Sequence, residues 1–303
     1  VRPLGPAWHH ALVGDNLRGW PIGFNAMEIV NSAATQSDPL QLFHDWLGLL
    51  NHGHRVTPIG SSDSHDVGRH FVGQARTYIR SPDKDVGNID RVAVARELVA
   101  GRVLMSYGLL TELTVNQTFR PGDCATIVTP QLHVEVCVRG PHWVQAQRVA
   151  LFANGQRIAE QSIDADAKRP GEGIIWKQSW QFPRPPHDVH LVALATGPGI
   201  QQLYWPTARP YQPTSDNPQT TVVGCSGAIW LDVDGDGQST SARELAQQHV
   251  AAAAGDLPGL LGALAGYDAA VVAQAAHLYH RHSEALLTPA AQRGLVTPAA
   301  IWR

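Results

Sequence analysis

Apolar residues recur at three rhythms along the chain, and each rhythm predicts a different structure. Between residues 26 and 108, short apolar runs alternate with amphipathic stretches. Residues 26–31 read as a strand. Leu40, Leu42, Phe43, Trp46, Leu47, Leu49 and Leu50 supply the apolar face of a helix, with Asp38 as its cap, Pro39 in its first turn and Gly53 as its stop. Residues 55–60, 74–80 and 103–106 read as strands, and 90–101 as a helix capped by Asp90. Strand and helix alternating at this pace predict an α/β layer or barrel. From 109 to 231 the rhythm changes to short strands, at 110–115, 132–138, 148–152, 174–180, 189–195 and 200–205. Asn154-Gly155 and Pro121-Gly122-Asp123 are turn sequences between them. This pattern predicts an antiparallel β-sandwich. From 241 onward Ala and Leu dominate, and 242–254, 257–265 and 269–287 each read as a helix. Residues 1–25 carry no period and read as loop. The expected fold class is α+β and multidomain, divided at 1–108, 109–231 and 232–303.

Composition narrows the function. Apolar residues make up 44% of 303, enough for sizeable cores. A net charge of -3 lacks the basic surplus that general nucleic-acid binding requires, so no nucleic-acid partner is expected. No apolar run reaches the roughly 20 residues of a membrane-spanning helix. Cys124, Cys137 and Cys225 form no C-x-x-C pair, which argues against a structural zinc knuckle. The first residue is Val and the methionines are Met27 and Met105, so the expectation is a removed leader or a piece of a longer chain.

The candidate chemistry begins at Gly60-Ser61-Ser62-Asp63-Ser64-His65. A strand ending in Asp-x-His sets a carboxylate and an imidazole two residues apart on one side. Both are ligands for divalent transition metals, and the ends of barrel strands are where active sites form. Alone, such a tripeptide also occurs as a capped turn with a surface histidine.

Its surroundings add to it. Residues 25–32 (Asn-Ala-Met-Glu-Ile-Val-Asn-Ser), 45–51 (Asp-Trp-Leu-Gly-Leu-Leu-Asn), 61–67 and 72–78 (Val-Gly-Gln-Ala-Arg-Thr-Tyr) occur in the order and spacing of the final strands of a PHP domain. Over roughly 1–115 the chain resembles the PHP superfamily of metal-dependent hydrolases and phosphoesterases, within it the CehA/McbA-like group. A looser similarity continues to Ala228-Ile229-Trp230-Leu231-Asp232. The resemblance implies the C-terminal part of a distorted (β/α)7 barrel that holds two or three metal ions. Asp63 and His65 would be metal ligands for Mn, Fe or Zn, matching the family's late Asp-x-His. The family's earlier histidine motifs are not matched in context; His9 and His10 lack the neighbouring Asn and Pro and read as loop. Arg76, eleven residues beyond His65 on the next strand, would be a catalytic residue that meets the charge of a small phosphoester or ester substrate. Glu28 reads as a support to the ligands, and His52, His54 and His70 as rim residues.

A second motif is Asp232-Val233-Asp234-Gly235-Asp236-Gly237-Gln238-Ser239-Thr240. It matches the first half of a calcium loop, with oxygen ligands at positions 1, 3 and 5, Gly at 6 and a carbonyl at 7. Position 12 should be a carboxylate but is Arg243, with Glu244 one residue late. The expected calcium residues are Asp232, Asp234, Asp236, Gln238 and Glu244, in a structural role. Two functions follow. One is the C-terminal portion of a metal-dependent hydrolase, incomplete as a catalyst on its own. The other is a non-catalytic, calcium-stabilised β-sandwich module that binds glycan or a protein partner. A calcium loop beside a sandwich fits an extracytoplasmic location.

Overall fold

A computed structural model describes residues 22–31, 40–65, 72–83, 85–167, 169–200 and 221–282. In chain order they form β1 (Ala26–Asn31), α1 (Gln41–Asn51), β2 (Thr57–Ser61), β3 (Ala75–Ile79), α2 (Arg91–Val99), β4 (Val103–Tyr107) and β5 (Leu110–Val115). Then follow β6 (Cys124–Thr126), β7 (Gln131–Arg139), β8 (Arg148–Ala153), β9 (Gln156–Ser162), β10 (Ile174–Pro183) and β11 (Val189–Pro198). The described chain closes with β12 (Thr221–Ser226), β13 (Ile229–Asp232), α3 (Ala242–Ala253), α4 (Leu257–Leu264) and α5 (Ala269–His282). The fold is α+β, with mostly antiparallel sheets. His9, His10, Asp38, Pro39 and His70, and all but the first residue of the strand expected at 200–205, lie outside the described residues.

The large sheet organises the rest. Its order is β3-β4-β12-β11-β13-β6, with β8 and β9 branching from β11. Its centre is apolar on both faces: Val189, Leu191, Ala193 and Ala195 of β11 face one core, while Val192 and Leu194 face another. This double burial explains why β11 reads as a continuous apolar run rather than an alternating one. The first core is shared with the three-stranded sheet β10-β7-β5, which contributes Leu132, Val134, Val136 and Val138 of β7. Where the sheets cross, a Cβ on Gly224 would stand 2.6 Å from the Leu109 carbonyl oxygen, so only glycine fits.

The opposite face is covered by β1, α1 and β2. β1 and β2 pair in parallel, with α1 between them in sequence, a βαβ unit. Phe43, Trp46, Leu47, Leu49 and Leu50 of α1 pack with Met105, Phe152, Val192, Leu194 and Cys225 of the large sheet. The buried Trp46 indole donates to the Val56 carbonyl at 2.8 Å, fixing α1 against the start of β2. Among the described residues this pair is a two-stranded sheet of its own, and the expected barrel is not seen. β3 and β4, expected in that barrel, instead pair antiparallel, and β4 pairs with β12. The large sheet therefore runs across residue 108, where a domain boundary was expected. Helices α3, α4 and α5 form a third core around Ala246, Leu260, Leu264, Val271 and Ala275.

Asn154 joins all three parts. It and Gly155 take φ values of 45° and 76°, the left-handed pair of a tight hairpin between β8 and β9. Its side chain accepts from the His190 N–H at 3.0 Å and donates to Asp268 at 2.9 Å. Its carbonyl accepts from Asn51 at 3.0 Å. Asp268 in turn caps α5 by accepting from the Ala270 and Val271 N–H groups. Asn154→Ala removes two buried side-chain hydrogen bonds, one to a carboxylate. The expected loss is about 3 kcal/mol of stability, read as a lower urea midpoint.

His190 lies on the second-core face, its ring 5.5 Å from Trp230. Burial pushes its pKa from 6.5 down to about 3, so it stays neutral in the folded protein. The unfolded chain takes up that proton below 6.5 and the folded one does not. Stability should therefore fall as pH drops from 6.5 towards 3, by about 1.4 kcal/mol per pH unit from this group. His190→Phe should flatten the stability–pH profile by that slope in denaturation series across the window.

Candidate metal-binding residues

Two groups of polar side chains stand out, at different places in the fold. The first lies at the carboxyl ends of the parallel pair. Asn31 and Ser61, the last residues of β1 and β2, are register partners. Both donate to the Glu28 carboxylate, Asn31 at 3.0 Å to one oxygen and Ser61 to the other. Just beyond β2, Asp63 takes a left-handed φ of 48°. The His65 Nδ1 bonds the Asp63 backbone carbonyl at 2.8 Å and stands 3.4 Å from its carboxylate. The structure thus brings Asp63 and His65 together, with side chains 41% and 77% exposed. Among the described residues, no third His, Cys, Asp or Glu joins them to make a three-ligand group.

Arg76 lies in β3 and is exposed. Its neighbour Thr77 exchanges hydrogen bonds with the Gly60 backbone on β2, at 2.9 and 3.0 Å. Successive side chains on a strand point to opposite faces, so Arg76 leaves β3 away from β2. His52 and His54 spell a His-x-His, and their rings stack 4.8 Å apart. They precede β2, however, at the opposite end of that strand from Asp63. Burial, followed by the Arg243 charge, lowers the His54 pKa.

The second group surrounds the loop between β13 and α3. Asp188, Asp232 and Asp234 each place a carboxylate oxygen within 4.8 Å of the others. Oxygens around a cation with bonds of about 2.3–2.6 Å stand at most about 5 Å apart, so this triad could bind a metal ion. Asp232 is wholly buried and accepts from Gly235 N–H at 2.7 Å, Gly237 N–H at 3.0 Å and the Thr126 hydroxyl at 2.8 Å. Burial works against its charge, but those donors outweigh burial and hold its pKa below the usual value. Asp188 accepts from Val233 and Thr240 N–H groups at 2.7 and 2.8 Å, closing the two ends of the loop. Burial is its larger influence and raises its pKa. Asp234 and Asp236 accept in turn from the N–H groups of Asp236 and Gln238.

Asp188 was not identified by sequence reasoning. Forty-four positions separate it from Asp232, and only the β11–β13 register, with Val189 opposite Leu231, sets them side by side. Arg243 at position 12, where a calcium loop needs a carboxylate, was the available hint in the sequence. Glu244, expected to close the cage, instead completes a capping box: its carboxylate accepts from Ser241 N–H at 2.8 Å while Ser241 accepts from Glu244 N–H. Asp236 and Gln238 lie in the same loop but outside the triad, lining a cavity of about 450 Å³ with Arg55, whose guanidinium sits 4.7 Å over the Trp230 ring.

No family model, curated protein or solved structure matches the chain. No helix among the described residues is long and apolar enough to cross a membrane.

Proposed function

We propose that the chain is the C-terminal portion of a PHP-type metal-dependent hydrolase acting on a small phosphoester or ester. The observation that carries this reading is the gathering of Glu28, Asn31, Ser61, Asp63 and His65 at the carboxyl ends of β1 and β2. Sites in α/β units form at the carboxyl ends of parallel strands. On this reading the βαβ unit belongs to a distorted (β/α)7 barrel, and Asp63 and His65 hold a divalent Mn, Fe or Zn ion. With Nδ1 turned to the Asp63 carbonyl, His65 offers Nε2 as the ligand atom. A bound ion of this kind supplies a water acidic enough to ionise near neutral pH. The Glu28 carboxylate is held in place by two donors, Asn31 and Ser61. Two side chains are part of a coordination shell, and the reading requires the rest from outside the described residues.

The test is elemental analysis of the chain after equilibration with Mn, Fe or Zn, alongside hydrolysis of a nitrophenyl phosphodiester. Bound transition metal should be lost in the Asp63→Ala/His65→Ala variant, with the near-UV circular dichroism unchanged because both side chains are exposed. Equal metal in the variant would sink the proposal.

A second reading is favoured by the triad. Here Asp188, Asp232 and Asp234 hold calcium, and the ion stabilises a non-catalytic module that binds glycan or protein. Calcium at 100 times its dissociation constant should then add about 2.7 kcal/mol, seen as a higher thermal midpoint. Asp188→Ala should abolish that response, while Glu244→Ala should lower stability through the lost cap yet keep it. A calcium response lost in Glu244→Ala and kept in Asp188→Ala would reverse the ligand assignment.

A further inference from the structure

The cleft on the outer face of the small sheet carries chemistry that neither metal group uses. Alternation along β5 and β7 sends Leu113, Val134, Val136 and Val138 into the shared core, and Leu110, Glu112, Glu135, Cys137 and Arg139 outward. The edge formed by β3 and β4 walls this outer face on one side, enclosing a cavity of about 520 Å³. That volume lies within the range of small-ligand sites. Tyr78, Leu104, Leu110 and Ile174 give it apolar walls, and Tyr78 is 44% exposed despite its size.

Five cations converge there, Arg80, Arg102, Arg120, Arg139 and Lys177, in a chain whose net charge is -3. Four already have carboxylate partners. Arg139 meets Glu112 at 2.9 Å and Lys177 meets Glu135 at 2.9 Å. Arg80 and Arg102 share Glu97 and Asp123 at 2.8 to 3.8 Å. Four carboxylates thus balance four cations, and among the described residues Arg120 has no ion pair. A cleft with apolar walls and one uncompensated guanidinium is complementary to a ligand with an apolar body and a single negative charge.

We propose that this cleft binds a monoanionic amphipathic small molecule, of the carboxylate or sulfonate class, whose charge meets Arg120 and whose apolar body lies against Tyr78, Leu104 and Ile174. The inference stands apart from both readings of the metal residues. The probe is anilinonaphthalene sulfonate, which carries one sulfonate on an aromatic body and fluoresces on leaving water, titrated into the full chain. One probe should bind per chain and be displaced by octanoate, but not by octanol or inorganic phosphate at equal concentration. Arg120→Glu should weaken probe binding about tenfold, the effect of one lost charge contact, and Tyr78→Ser should weaken it as well. Both positions are exposed, and an unchanged near-UV spectrum verifies the fold of each variant. Unchanged affinity in Arg120→Glu, or displacement by octanol or phosphate as effective as by octanoate, overturns the assignment.

Discussion

Both faces of the large sheet must be kept from water, and the architecture follows from that requirement. β11 and β12 carry apolar side chains on both sides, so one covering layer cannot satisfy them. The small sheet seals one face and the β1–α1–β2 unit the other. The parallel pair of two short strands could not persist alone; it is held because α1 buries Phe43, Trp46 and Leu50 against that sheet. The polar groups at the ends of β1 and β2 therefore owe their positions to a core on the far side of α1.

Polar groups placed at the seams convert these layers into one unit. Asn154 meets α1 through Asn51, β11 through His190 and α5 through Asp268. Asp188 fastens the loop after β13 at both ends. His187, next to it, stacks on Tyr267 at 4.8 Å and stands 3.7 Å from Asp268. Each such group is buried and satisfied, so losing one partner leaves another stranded, and the seams resist local opening.

The elements legible in the sequence are those whose signal is local. Asp90 caps α2 through the Val92 and Ala93 N–H groups, Asn154-Gly155 turns the β8–β9 hairpin, and Ser241 starts α3. β12 and β13 were not separated as strands, because burial on both faces leaves no alternation to detect. β9, at the edge of the sheet and largely polar, lacked an apolar face. The sites divide in the same way. Asp63 and His65 are two residues apart and could be paired from spacing alone. The partnership of Asp188 with Asp232 is set by sheet register, which depends on every strand around them.

The two candidate metal-binding groups also differ in what holds them without an ion. A carboxylate offers about four lone-pair positions. Asp232 gives three to Gly235, Gly237 and Thr126, and Asp188 gives two to Val233 and Thr240. These donors offset the mutual repulsion of the triad and fold the loop beforehand, so an ion arriving there spends little on ordering its ligands. Three carboxylates offer six oxygens at most, several of them already accepting N–H groups, so a calcium ion there, which takes six to eight oxygens, would also draw on backbone carbonyls or water. Asp63 and His65 lie in the opposite regime. They are exposed, and the His65 ring is joined to Asp63 through the Asp63 carbonyl, on the turn after β2. An ion at that edge would have to be held by further ligands, whereas one at the triad meets a loop already in place.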